Sequence, residues 1–304
     1  MANLLTMGRQ KQGKLNWLQC NLPEGLPVDA RWLQRHGYSS ALRSKYVAHG
    51  WLNRVARSVY RRPLARLSEP GGDEGLRWQY VVISLQTLLE CPLAVGGQTA
   101  LHLQGFAHYL TAAGPWEVHL YGGKTPPGWV SKLKLDSPLV FHNAAKLFKD
   151  GKPSKNGPGP PYRATANRKV QTGRNTGANS VPGGLIRQPW GHWEWPLIMS
   201  SPERAILELL DEVPLRETFH QADVLMEGLR NLSPRRLHTL LVECRSVKVK
   251  RLFLWFAERH KHAWLKGLDR KGIDLGRGKR MLVRGGKLDT RFNITVPENL
   301  DAGG

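Results

Sequence analysis

The chain has 304 residues, enough for a small and a medium domain that each bury their own core. Apolar residues make up 40% of it, which excludes a chain disordered throughout. Its longest apolar-rich stretch, Trp78 to Val95, is broken by Gln79, Ser84, Gln86, Thr87 and Glu90, which excludes a transmembrane helix.

The three cysteines, Cys20, Cys91 and Cys244, are widely spaced and odd in number, so they suggest neither a disulfide framework nor a zinc site. Residues 1–14 lack the apolar core of a signal peptide, and the expected location is the cytoplasm. The net charge of +21 points to a polyanionic partner. That charge is uneven. Residues 1–67 carry 12 Lys/Arg against 2 Asp/Glu, and residues 149–188 carry 8 against 1, whereas residues 68–148 carry 5 against 6.

In chain order, Leu15, Trp17, Leu18 and Leu22 suggest a first amphipathic helix. Asp29 can cap a second from Ala30 to His36, which Gly37 ends. A third runs from Ser39 or Ser40 to His49, with Leu42 and Tyr46 on one face. Two strand-like runs follow, Trp51 to Val55 and Val59 to Arg62, joined by Ala56-Arg57-Ser58. Helix, turn, helix and tight basic hairpin is the order of a winged helix-turn-helix. Ser40, Arg43, Ser44 and Lys45 would face a major groove from the third helix. Arg54, Arg57, Arg61 and Arg62 would meet phosphates or a minor groove from the hairpin. The plainer alternative is a helical capping domain whose basic face serves only solubility.

Further on, helices are expected at Arg77 to Glu90 and Gln98 to Gly105, and strands at Glu117 to Tyr121 and Pro138 to Asn143. Residues 150–188 are rich in Gly, Pro, Asn, Lys and Arg and read as a flexible basic insertion. Beyond it, Ser200 or Ser201 caps a helix with Pro202 in its first turn, and Ser200 with Glu203 has the spacing of a capping box. Helices are expected at Ala222 to Leu229, Pro234 to Cys244 and Val247 to His260, the last buried all round at Leu252 to Ala257. Strands are expected at Lys279 to Val283 and Phe292 to Val296. The fold class is therefore α+β. The expected domains are a winged helix at 1–67 and a larger mixed α/β domain in two parts, 68–149 and 189–304, either side of the 150–188 insertion.

Catalytic signatures are scarce. No Gly-x-Ser-x-Gly, His-Glu-x-x-His or phosphate-binding Walker loop is present. Glu117-Val118-His119 faintly resembles the acidic strand of metal-dependent nucleases but has His where Lys belongs. Gly276-Arg277-Gly278-Lys279 reads as a turn, His102, His108, His119 and His142 as scattered histidines, and His260-Lys261-His262 as an exposed helix end.

Several stretches, in their order and spacing, resemble a known family. They are Gly50-Trp51-Leu52-Asn53-Arg54-Val55 with Val59-Tyr60-Arg61-Arg62-Pro63; Gly97 to Tyr109; and Val118-His119-Leu120-Tyr121-Gly122 with Pro127 and Trp129. Further along come Ser200-Ser201-Pro202-Glu203-Arg204-Ala205, Ser246 to Phe253, His262-Ala263-Trp264 and Ile273-Asp274-Leu275-Gly276. On these motifs the chain is similar to the AbiEi antitoxins of type IV toxin–antitoxin systems, with residues 150–188 as a variable insertion. The resemblance implies a non-enzymatic protein without metal or cofactor. Its winged helix would bind double-stranded operator DNA and repress its own operon. Its C-terminal part would counter a nucleotidyltransferase-like toxin, AbiEii, with or without direct contact. The alternatives are a winged-helix regulator with no toxin partner, and a nuclease.

Overall fold

A computed structural model describes residues 13–64, 76–106, 116–149, 180–191 and 193–300. The chain folds into two compact units. Among the described residues, the first takes those up to Cys91 together with Pro126–Pro138. The remainder forms the second.

The first unit opens with a helix over residues 13–21 (α1), followed by β1 (Val28–Asp29), α2 (Ala30–Arg35), α3 (Ser40–Ala48), β2 (Asn53–Ala56) and β3 (Val59–Arg61). The three strands form one antiparallel sheet in the order β1-β3-β2, with Val28 opposite Tyr60 and Arg54 opposite Tyr60 on its other side. The expected hairpin is present. The short strand β1 was not legible, because two residues carry no periodicity. Leu18, Leu22, Leu26, Val28, Leu33, Leu52 and Val59 are all buried to within 1% and hold helices and sheet together. α4 (Trp78–Thr87) also belongs here, so the compact unit runs past residue 67. It is buried almost all round, and the Ser84 hydroxyl donates to the carbonyl of Pro27.

In the second unit, β4 (Leu93–Val95), α5 (Gly97–Leu103), β5 (Val118–Gly122), β6 (Leu139–Asn143) and α6 (Ala144–Leu147) are followed by β7 (Ser180–Val181), β8 (Leu185–Trp190) and β9 (Trp195–Ser200). They make a mixed six-stranded sheet in the order β6-β5-β4-β9-β8-β7, parallel at β5–β6 and β4–β9 and antiparallel elsewhere. Four helices follow: α7 (Pro202–Glu212), α8 (Phe219–Gly228), α9 (Pro234–Glu243) and α10 (Val247–Arg259). α7 packs against α5, α9 and α10. A final hairpin pairs β10 (Lys287–Asp289) with β11 (Ile294–Val296).

Four expectations need correction. Residues 180–188 belong to the sheet: β7 pairs with β8 across a turn at 182–184, and β8 pairs along its whole length with β9; residues 150–179 lie outside the described residues. Lys279 to Val283 is not a strand. Only Arg280 bridges to Ile294, and the turn through Gly285 brings Lys287–Asp289 into the hairpin instead. The capping box at Ser200 is absent, because both partners are engaged elsewhere. Ser200 Oγ donates to Glu208 Oε2 at 2.8 Å, and Glu203 accepts from the Ser233 N–H at 2.9 Å and from Arg236 at 2.9 Å. In α10, Phe253 and Phe256 are fully buried but Trp255 is only partly so.

Candidate nucleic-acid interface

The turn between α2 and α3 is set by local chemistry. Asp29 Oδ1 accepts the Trp32 N–H at 2.7 Å and starts α2. Gly37 adopts φ +83°, a left-handed conformation costly for other residues, and reverses the chain. Ser39 Oγ accepts the Leu42 N–H at 3.3 Å and starts α3. Tyr38, between the helices, is buried and donates its hydroxyl to the carbonyl of Lys14 at 2.7 Å. The angle between α2 and α3 is thus locked from both ends.

On α3, Ser40 and Ser44 are exposed one turn apart on the same face, and Lys45, next to Ser44, is exposed on the adjoining side. Arg43 is not among them, contrary to expectation. It is 9% exposed, donates to the carbonyl of Tyr38 at 2.7 Å, and places its guanidinium 5.9 Å from the Tyr60 ring centre. Its spacing of three from Tyr46 puts it on the inward face, where it ties helix to wing.

The wing shows the same division. Arg54 and Arg57 are exposed, the latter at the tip, where Ser58 takes φ +63°. Arg61 is 5% exposed, since β3 is the central strand and alternate side chains turn inward. Arg62 is half-buried and committed: it donates to the carbonyls of Gln19 at 2.8 Å and Leu22 at 2.9 Å, and pairs with Glu24 at 3.1 Å. Of the eight expected contacts, five are exposed at the surface and three are built into the fold. Sequence reasoning missed Lys132 and Lys134. They lie in the first unit although they sit some 70 residues after the wing in sequence.

The second unit gathers polar groups of another kind. Glu208 is fully buried and accepts from Arg204 Nε at 2.7 Å, Ser200 Oγ at 2.8 Å and the Gly97 N–H at 3.0 Å. Arg204 also donates to the carbonyl of Gly183 and stacks 4.6 Å above Phe148. A Cβ at Gly96 would overlap the Glu208 carboxylate, so only glycine fits there. The Ser-Ser-Pro-Glu-Arg-Ala motif is thus a structural pin joining β9, α7 and the start of α5.

His119 and His142 share a hydrogen bond of 2.9 Å, and His142 contacts Glu212 at 3.0 Å. Burial, together with His142, lowers the His119 pKa to about 4, which keeps it neutral. Of the other histidines grouped with these two, His102 packs at a tilt against Trp116, and His108 lies outside the described residues. Among the described residues no three His, Cys, Asp or Glu side chains are placed to hold a metal ion. The helix end at His260-Lys261-His262 is also less open than expected. His260 bonds Asp223 at 2.7 Å, and buried His262 bonds the carbonyl of Met226 at 2.7 Å.

Two family models match. Residues 11–112 match one described as the N-terminal domain of AbiEi antitoxin transcriptional regulators. Residues 188–297 match one described as a transcriptional regulator, the AbiEi antitoxin of a type IV toxin–antitoxin system. Together they take in more than half of the chain. Among solved structures the chain is similar to the RV2827C protein from Mycobacterium tuberculosis, at 12% identity and a TM-score of 0.48, covering 92% of this chain and 88% of that one. No curated protein matches. Among the described residues, no helix is long and apolar enough to cross a membrane.

Proposed function

Since this chain belongs to the AbiEi family, the transcriptional-regulator antitoxins of type IV toxin–antitoxin systems, we propose that it represses its own operon through the winged helix and counters a nucleotidyltransferase-like toxin through its second unit. The observation that carries the DNA half is the exposed polar side chains of α3, Ser40, Ser44 and Lys45, with Arg54 and Arg57 exposed on the wing. A helix of nine residues is about 13 Å long, which suits a major groove about 12 Å wide. Lys45 offers a point charge to guanine or phosphate, and the serines donate or accept. The wing arginines meet the flanking backbone.

The antitoxin half is supported by what the second unit contains and how it is built. Its buried charged side chains Glu203, Arg204, Glu208 and Arg251 are engaged in internal contacts. Its histidine pair is stacked, hydrogen-bonded and held neutral at His119. This suits a rigid scaffold that acts by binding rather than by turnover. The test is a gel-shift titration of the full chain against the DNA upstream of its own gene, with unrelated duplex as competitor. Selective retention of the upstream DNA supports the reading. Equal affinity for both duplexes removes the operator from it. The toxin half is tested by co-expression with a nucleotidyltransferase-like toxin, where restored growth is the expected result and unrelieved toxicity removes the toxin from the reading.

A further inference from the structure

A cavity of about 510 Å³ opens beside the wing, entirely within the first unit. The wing supplies Arg57 and Arg61 to its wall, and the segment 126–138 supplies Trp129, Lys132 and Lys134. Four lining residues are cations and none is an acid. Arg57, Lys132 and Lys134 are exposed at the rim, while Arg61 is buried at 5%.

The segment is fixed there by specific contacts. Leu135 bridges to Leu76, and Asp136 Oδ1 accepts the N–H of Trp78 at 2.8 Å, at the start of α4. Val130 is buried, and a short 3-10 turn over Val130–Lys132 presents the first lysine. The Trp129 indole Nε1 is a buried donor with no acceptor among the described residues. Arg57, Lys132 and Lys134, exposed around a partly apolar wall, are like charges, and an anion relieves their repulsion.

We infer that this cavity is a second phosphate-contact site for duplex DNA, in which Lys132 and Lys134 hold the backbone beyond the wing. The inference rests on the winged helix being the DNA reader and extends its footprint to a segment distant in sequence. A small anionic metabolite would be gripped by enclosed, converging donors. Here three of the four cations stand at an open rim shared with the wing, which suits a strand of phosphates running past.

The test uses the full chain and a mixed-sequence duplex of about 24 base pairs, because phosphate contacts are independent of sequence. Affinity is read by fluorescence anisotropy between roughly 50 and 200 mM salt. Each phosphate contact contributes about −0.9 to the slope of log affinity against log salt, so Lys132→Gln/Lys134→Gln should make it shallower by about 1.8, and Lys134→Gln alone by about 0.9. Both lysines are exposed, so melting should not change. A slope equal to that of the unaltered chain overturns the inference. If Lys45→Ala/Arg57→Ala then still weakens binding, the winged-helix reading stands and only this site falls. If the unaltered chain binds no duplex, both fall. Inorganic phosphate is the second probe: if it binds the unaltered chain but not the lysine variant while the duplex slope is unmoved, the cavity serves a free anion and the inference is overturned.

Discussion

Arg204 donates from Nε to Oε1 of Glu208, one turn further along α7, at 2.7 Å, and both side chains are buried. The pair is not a surface bridge of small worth. Its carboxylate also holds the Ser200 hydroxyl and the first N–H of α5, so three elements depend on one anion. Glu208→Ala leaves a guanidinium, a hydroxyl and an amide without that acceptor. Breaking such a buried pair costs about 3–5 kcal/mol, and the melting temperature should fall by roughly ten degrees or more. Calorimetry checks this; a fall of under two degrees would show that water or neighbours replace the carboxylate.

Arg43→Ala should act through stability rather than base choice. The buried guanidinium bonds the carbonyl of Tyr38 and lies near the ring of Tyr60, so its loss should cost about 1–3 kcal/mol. Measured below the melting transition, the ratio of affinities for operator and scrambled duplex should be unchanged. A relaxed ratio would place Arg43 against a base.

Lys45 and Arg57 should separate into different classes of contact. Lys45→Ala, on the exposed face of α3, should lower discrimination at one base position by about 1–3 kcal/mol. Arg57→Ala, at the wing tip, should weaken all duplexes alike and make the salt slope shallower by about 0.9. Competition titrations with single-base operator variants distinguish them, and the reverse pattern would exchange the two roles.

The acid-titrating groups of the second unit give a pH dependence. Burial, then repulsion from Glu212 and Glu117, raises the Glu217 carboxyl to about 7 from an ordinary 4.5. The stability linked to its proton is complete below pH 4.5 and is lost as pH rises through 7. Glu217→Gln, which stays neutral, should therefore be more stable than the parent at pH 8, by on the order of 1–3 kcal/mol, and match it near pH 4. His119 works in the opposite direction: its contribution is present above pH 6.5 and lost as pH falls through 4. Denaturant melts at both pH values test the carboxyl, and an equal effect at each would contradict its raised pKa.

Much of the first unit was legible because its signals are local. Asp29 and Ser39 start helices through their own side chains and Gly37 ends one through its backbone, and the wing is read from two strand-like runs about a turn. Arg43 and Arg61 were misread because charge was taken as a sign of exposure. Their periodicity, three from Tyr46 and two from Val59, places both on inward faces. In the second unit the helices were visible from their apolar stripes and, for α7, from Pro202 in its first turn. The sheet was only half visible. β4 is three residues long just after Pro92, and β8 alternates Arg187 and Gln188 within a stretch whose composition resembles a linker. Lys132 and Lys134 could not be found from sequence, because their region is close to neutral and only tertiary contacts at Leu135 and Asp136 bring them to the wing.

The division of labour between the two units is tested most directly by one paired measurement on the variant Lys45→Ala/Arg54→Ala/Arg57→Ala. All three side chains are exposed, so neither core should be disturbed. A reporter driven by the native promoter reads repression. Growth with the toxin expressed from a separate inducible plasmid reads protection, and the separate plasmid keeps lost repression from raising toxin dose. The account predicts that, at matched protein level, this variant loses repression and still protects. Loss of protection together with repression would mean that neutralisation runs through DNA binding, and would contradict the assignment of the two functions to two units.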